Sequence, residues 1–227
     1  YILDGKHLMG KSEEKPITES FAEVLCSSFS EGILKEHLRN SVSCLKKNIE
    51  KVNPTFKGDQ QNDAHEFFRA LIEKMHSEMN NAPKRLEPAT EFKPSRRATT
   101  LHLKAKEWKE YSRERDNSII TKLFGGVLLS EVFCTTCRYT SYTFEDALDL
   151  SLNLPMSNAN SSSNEDYAAS LLTCLDEFVN EEEIEGYQCE NCQTKDTATK
   201  RTTIWKAPEV LAIQLKRFVY NQYGELD

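Results

Sequence analysis

No stretch of this 227-residue chain approaches the roughly 18 consecutive apolar residues that a membrane-crossing helix needs, so no such helix is expected. No apolar stretch with a basic flank stands near the N-terminus, so no signal peptide is read. Apolar residues are scarce, at 38% against 29% charged, which predicts one packed core with long solvated segments. An excess of positive charge is also missing. The net charge of −7 argues against nucleic acid as the main partner. Apart from two short cysteine motifs there is no internal repeat. An even set of cysteines is lacking too. Seven, without a secretory signal, read as reduced thiols plus a metal site in the cytosol or nucleus, not as a disulfide framework. The chain begins at Tyr1, not Met, and stops just after the turn-like Asn221-Gln222-Tyr223-Gly224, so a piece of a longer protein is expected.

What is present is led by two Cys-x-x-Cys pairs, Cys134/Cys137 and Cys189/Cys192. Zinc takes four soft ligands in a tetrahedron, and two such turns supply them. The 51 residues between Cys137 and Cys189 are too many for a compact finger, so the metal would clip together two distant segments. A redox pair is the competing reading. Redox pairs open a helix after a strand, whereas both pairs here are flanked by strand-like residues, at apparent hairpin tips. Four thiolates leave no open position for water, so a zinc here is structural.

Periodicity places helices first. Ile17, Phe21, Val24, Leu25 and Phe29 keep helical spacing, with Thr18 or Ser20 as a start signal and Gly32 as a stop. Leu34, Leu38, Val42, Leu45, Ile49 and Val52 form a second stripe, ended by Pro54. Ala64, Phe67, Phe68, Leu71, Ile72, Met75 and Met79 form a third, with Asp63 and Glu66 at capping-box spacing. Prolines break the pattern between Asn80 and Pro94, and some helix is expected near Trp108. Strands follow at 127–133, 140–144 and 148–154, with a Ser/Asn-rich loop at 157–166. A helix is predicted over 170–182, then strands at 202–205 and 210–215, the latter nearly all apolar and expected to be buried. Helices then strands predict an α+β architecture. Charge is segregated. Residues 84–115 carry ten Lys/Arg against five Asp/Glu, and residues 145–196 carry thirteen Asp/Glu against one Lys. Solvated faces explain both, and the sharper reading is an acidic surface for a basic partner. Within it, Glu181 to Glu185 reads as a solvated helix end and turn.

Six blocks in order resemble the ubiquitin-specific protease family. They are Gln61-Asn62-Asp63-Ala64-His65-Glu66-Phe67; Phe124 to Ser130 leading into Cys134-x-x-Cys137; Leu150 to Pro155; Cys174 to Phe178; Tyr187-Gln188-Cys189-x-x-Cys192 with Ala198-Thr199-Lys200; and Leu211 to Phe218. The resemblance implies a papain-like fold of thumb, palm and fingers, incomplete here, with a zinc-ribbon-like fingers subdomain. It implies a helical thumb over 1–118, with a basic excursion at 84–115, and fingers plus partial palm over 119–227. It implies thiol-dependent hydrolysis at the C-terminus of ubiquitin, with ubiquitin and ubiquitinated proteins as partners. No nucleic acid or membrane partner, a monomer, and a cytoplasmic or nuclear location are expected alongside it.

The family's nucleophile lies in a Gly-Asn-Thr-Cys box and its general base in a Gly-His-Tyr box, and neither motif occurs in these residues. No catalytic residue is therefore assigned. Cys26, Cys44 and Cys174 read as helix residues, and His65, His76, His7, His37 and His102 have no catalytic motif around them. By resemblance Asp63 binds the basic ubiquitin tail, a task suited to a carboxylate that accepts two bonds from a guanidinium. Helix capping is its structural alternative. Gln61 is the candidate for the tail backbone, and zinc ligation falls to Cys134, Cys137, Cys189 and Cys192. Phe124, Trp205 and Phe218 read as core or as a recognition groove, and Tyr139 and Tyr142 as partner contacts. Two alternatives stand beside the enzyme: a catalytically inactive ubiquitin-binding scaffold, and a zinc-ribbon module using the basic stretch for RNA or a regulatory partner.

Overall fold

A computed structural model describes residues 15–29, 35–82, 92, 94–95, 100–154 and 170–217. The Gly32 stop, Leu34, the 157–166 loop, Phe218 and the final turn lie outside these residues. The chain forms two compact units, residues 1–93 with 109–123 and residues 94–108 with 124–227.

The first unit is helical. It holds α1 (Pro16–Phe29), α2 (Lys35–Val52), a single 3₁₀ turn at Pro54–Phe56 and α3 (Ala64–Met79). The long helix α4 (Leu101–Arg115) passes through the division, and α5 (Ile119–Leu123) follows it. The α3 stripe packs as its spacing predicts, with Leu71, Ile72, Met75 and Met79 all buried. On α2 the inward row is Ser41, Leu45 and Ile49, while Val42 and Val52 are exposed. Small residues set this face. Ser27 and Ser41 meet at 3.2 Å, so α1 and α2 approach through hydroxyls.

Neither Thr18 nor Ser20 caps α1 as a start signal. The helix begins two residues earlier, at Pro16, whose missing N–H suits a first turn. The cap comes from α3. Buried Glu78 accepts the Thr18 N–H (2.8 Å), the Thr18 hydroxyl (2.7 Å) and the Ile17 N–H (3.3 Å). The far end of α3 clasps the chain after α4. Asn80 donates to the Arg115 carbonyl at 2.9 Å and accepts the Asn117 N–H at 2.8 Å.

The second unit is mostly β. A four-stranded antiparallel sheet runs in the order β2-β1-β5-β4, from β1 (Gly126–Cys134), β2 (Thr140–Ala147), β4 (Glu181–Gln188) and β5 (Lys195–Lys206). A parallel pair joins β3 (Leu150–Asn153) to β6 (Ile213–Lys216). Helix α6 (Leu171–Phe178) supplies Cys174, which is buried with Leu150 and Leu152 and flanked by Leu175, Phe178, Ile213 and Leu215. Phe144 of β2 lies between Trp108 (6.1 Å, stacked) and Trp205 (5.4 Å, edge-on). Gly126 is needed for close approach, since a Cβ there would sit 3.2 Å from the Lys206 carbonyl.

Two expectations are corrected. Residues 181–188 are a strand, not a helix end and turn, because α6 stops at Phe178. Glu-Glu-Glu-Ile-Glu carries no apolar alternation. The strand forms because Glu181 and Glu182 stand opposite Arg201 and Lys200 of β5, and Lys200 reaches Glu182 at 3.3 Å. The 210–215 run is not a buried strand. Only Ile213–Lys216 pairs, and Val210 and Leu211 are 46% and 42% exposed. The helix near Trp108 is longer than its few apolar residues suggest, at 15 residues.

Candidate functional site

The two cysteine pairs sit in matching turns at one end of the four-stranded sheet. Cys134 closes β1 and Cys137 lies in the turn to β2, while Cys189 and Cys192 lie between β4 and β5. In the first turn the Arg138 N–H donates to the Cys134 carbonyl, and the Cys134 N–H to the Tyr139 carbonyl, both at 2.9 Å. In the second the Gln193 N–H donates to the Cys189 carbonyl at 2.9 Å, and the Cys189 N–H to the Thr194 carbonyl at 3.0 Å. Pairing of β1 with β5, with Cys134 opposite Ala198, brings the turns together.

The four Sγ atoms lie within 4.8 Å of one another. Cys134 and Cys192 are 3.9 Å apart and Cys137 and Cys189 3.6 Å, too far for a disulfide and all four free. Sulfurs held about 2.3 Å from a central zinc in a tetrahedron stand about 3.8 Å apart, so the donor set and its spacing fit that ion. Cys134 and Cys189 are buried, and Cys137 and Cys192 are half-buried.

Hydrogen bonding splits the thiols. The Asn191 side chain, followed by the Tyr139 N–H, lowers Cys137 to about 6. The Thr194 hydroxyl and N–H lower Cys192. At Cys189 the Cys192 N–H favours the thiolate, but burial and the neighbouring thiols push it up to about 11. A metal here needs all four sulfurs as thiolates, so its binding releases the protons they carry. Asn191 and Thr194 were not singled out in the sequence, and their positions inside and just after a Cys-x-x-Cys are the signal that marks them.

The second candidate site belongs to the helical unit. Asp63 is the N-cap of α3, and its Oδ1 accepts the His65 N–H at 2.6 Å and the Glu66 N–H at 3.3 Å. The carboxylate is exposed, as is Gln61. The loop before them is anchored at Gly58, which has φ +85° and whose carbonyl accepts the Lys46 ammonium. Phe56, buried, meets Phe67 of α3 edge-on at 5.5 Å.

The remaining candidates fall as follows. Cys174 is a core thiol, while Cys26 and Cys44 are exposed on their helices. His76 places Nδ1 at 2.8 Å from Ser118 Oγ and Nε2 at 3.2 Å from Asp116. This serine–histidine–aspartate row is a clasp. Ser118 is 2% exposed, and its oxygen accepts the Thr121 N–H of α5. Tyr142 lies under the Lys104 ammonium at 5.7 Å, Tyr139 is half-buried, Phe124 is half-buried and Trp205 is 47% exposed. Among the described residues no helix is long and apolar enough to cross a membrane.

A helix capped by the aspartate of a Gln-x-Asp-Ala-x-Glu-Phe box and a sheet ended by paired cysteine turns define an α+β domain with a four-cysteine cluster suited to zinc. The chain belongs to the ubiquitin carboxyl-terminal hydrolase family, whose profile matches residues 1–225. It is 32% identical to ubiquitin carboxyl-terminal hydrolase 21 of Rattus norvegicus over 232 residues, covering 92% of this chain and 38% of the relative. It is 34% identical to ubiquitin carboxyl-terminal hydrolase 3 of Homo sapiens over 179 residues, covering 76% of this chain and 33% of the relative. It thus spans 33–38% of the length of these relatives. Among solved structures it is similar to a chain of the SAGA DUB module bound to monoubiquitin, at TM-score 0.62 and 25% identity, covering 95% of this chain and 40% of that one.

Proposed function

We propose that these residues form the ubiquitin-recognition and zinc-bearing part of a thiol-dependent deubiquitinase, with subdomains at 1–118 and 119–227. In the intact protein, thiolate attack on the glycyl carbonyl at the ubiquitin C-terminus would be followed by thioester hydrolysis. The observation that carries this reading is the family match across residues 1–225. The exposed Asp63 supports a recognition role. Its capping bonds fall on Oδ1, which leaves lone pairs on the carboxylate for a guanidinium of the ubiquitin tail. Gln61 faces solvent beside it and serves the tail backbone. Zinc on Cys134, Cys137, Cys189 and Cys192 is structural: it ties the β1–β2 turn to the β4–β5 turn. Ubiquitin and ubiquitinated proteins are the partners, the acting species is a monomer, and its location is cytoplasmic or nuclear.

The chemistry is proposed to lie outside residues 1–227, which contain neither a Gly-Asn-Thr-Cys nor a Gly-His-Tyr box. A ubiquitin-derived vinyl probe tests this directly. The full-length protein should be labelled stoichiometrically and residues 1–227 should not. Labelling of the shorter chain would overturn the assignment. A full-length protein that binds ubiquitin but is never labelled would instead be an inactive ubiquitin-binding scaffold.

A further inference from the structure

The side chains around the four thiols divide into two sets. In the first knuckle, Thr135 donates its hydroxyl to the Thr197 carbonyl at 2.7 Å. Thr136 donates to the Asp196 carboxylate at 3.1 Å. Both hydroxyls are spent on β5. In the second knuckle Gln193 donates to the Glu190 carbonyl at 2.7 Å, while Asn191 and Thr194 turn to sulfur. The Asn191 amide lies 3.5 Å from Cys137 Sγ, across in the other knuckle. The Thr194 hydroxyl lies 2.8 Å from its neighbour Cys192 Sγ. The sulfurs so contacted are the two half-buried ones, not the buried Cys134 and Cys189.

A metal fixes the direction of these bonds. A coordinating thiol is deprotonated and can only accept, so the hydroxyl and the amide must donate. Four thiolates on a divalent cation leave a net charge of −2, and donors aimed at sulfur offset it. Cys137 and Cys192 are also the sulfurs that water or a competing chelator reaches first.

We propose that Asn191 and Thr194 are metal-positioning residues. Their donors hold Cys137 and Cys192 on the ion and set how tightly and how long zinc is retained, whereas Thr135 and Thr136 only lock the strands. The inference rests on the zinc reading above and adds that retention is controlled from the second knuckle.

Competition with a chromophoric zinc chelator on the full-length protein tests it. Wild type should hold one zinc for this site, and a protein holding none there sinks the zinc reading itself. Thr194→Val and Asn191→Ala should each weaken retention by about 10- to 100-fold, the range typical of lost outer-shell partners. Thr194→Ser keeps the hydroxyl and should restore wild-type retention. Thr136→Val, whose lost hydroxyl touches no sulfur, should leave it unchanged. In cobalt-loaded protein, loss of either donor should move the thiolate-to-cobalt charge-transfer band to lower energy, a change that loosened packing alone does not produce. Wild-type retention in Thr194→Val and Asn191→Ala, or an equal loss in Thr136→Val, would overturn the proposal.

Discussion

Arg138 and Gln193 occupy the same place in the two cysteine knuckles, each four residues after the first cysteine, and each has φ of 59°. Both turns therefore put a residue with a side chain in the left-handed region, where Cβ crowds the following carbonyl. Glycine meets no such penalty. Arg138→Gly and Gln193→Gly should each stabilise the folded protein by about 0.5–1 kcal/mol. A rise in the denaturant midpoint with unchanged slope is the expected result. A fall would mean that the side chains make contacts worth more than the strain.

The Glu78 carboxylate does the work of an N-cap from a distance of 60 residues in sequence. Its truncation strands two backbone N–H groups and a hydroxyl at the start of α1. Glu78→Ala should destabilise by about 3 kcal/mol, since each orphaned buried donor costs about 1–3 kcal/mol. Thr18→Val, which loses one bond and keeps the shape, should cost about 1 kcal/mol. Near-wild-type stability of Glu78→Ala in chemical denaturation would show that water reaches the α1 terminus.

Asp116 gives the helical unit an acid-sensitive clasp. Burial alone would raise its carboxyl, but hydrogen bonds and charge from His76 and Arg115 outweigh this and lower it. A depressed folded-state value means stability that is complete above the unfolded carboxyl range, near 3.8, and lost as pH falls below it. Asp116→Asn should lower stability at pH 6 and flatten its dependence below about pH 4. Urea midpoints measured from pH 3 to 6 decide this. Parallel curves for the two proteins would remove Asp116 from the acid limb.

Much of this arrangement is legible in the residues. The α3 stripe, its Asp63 cap and the two Cys-x-x-Cys turns all depend on local spacing, and local spacing is what a chain displays. The less legible parts have non-local causes. Strand β4 looks like a solvated acidic run because its reason to pair lies in Arg201 and Lys200 of β5. Helix α1 looks as if Thr18 caps it, because Glu78 lies on another helix. The exposure of Val210 and Leu211 contradicts their composition for a related reason. Hydrophobicity reports a preference for burial, not the presence of a surface that provides it.

Asp63 carries two separable duties, and the choice of substitution pulls them apart. As an N-cap it needs only a short side-chain acceptor, which serine retains. As a receptor for a guanidinium it needs a charged carboxylate with free lone pairs. Asp63→Ala should lose both, lowering stability by about 1 kcal/mol along with ubiquitin affinity. Asp63→Ser should keep stability within about 0.5 kcal/mol of wild type and still weaken ubiquitin binding by at least about tenfold, the equivalent of one charge-assisted contact. Calorimetric titration of ubiquitin into the full-length variants, alongside their denaturation curves, separates the two effects. If Asp63→Ser binds ubiquitin as tightly as wild type, the aspartate is a helix cap and nothing more, and recognition of the tail must fall to other residues of the box.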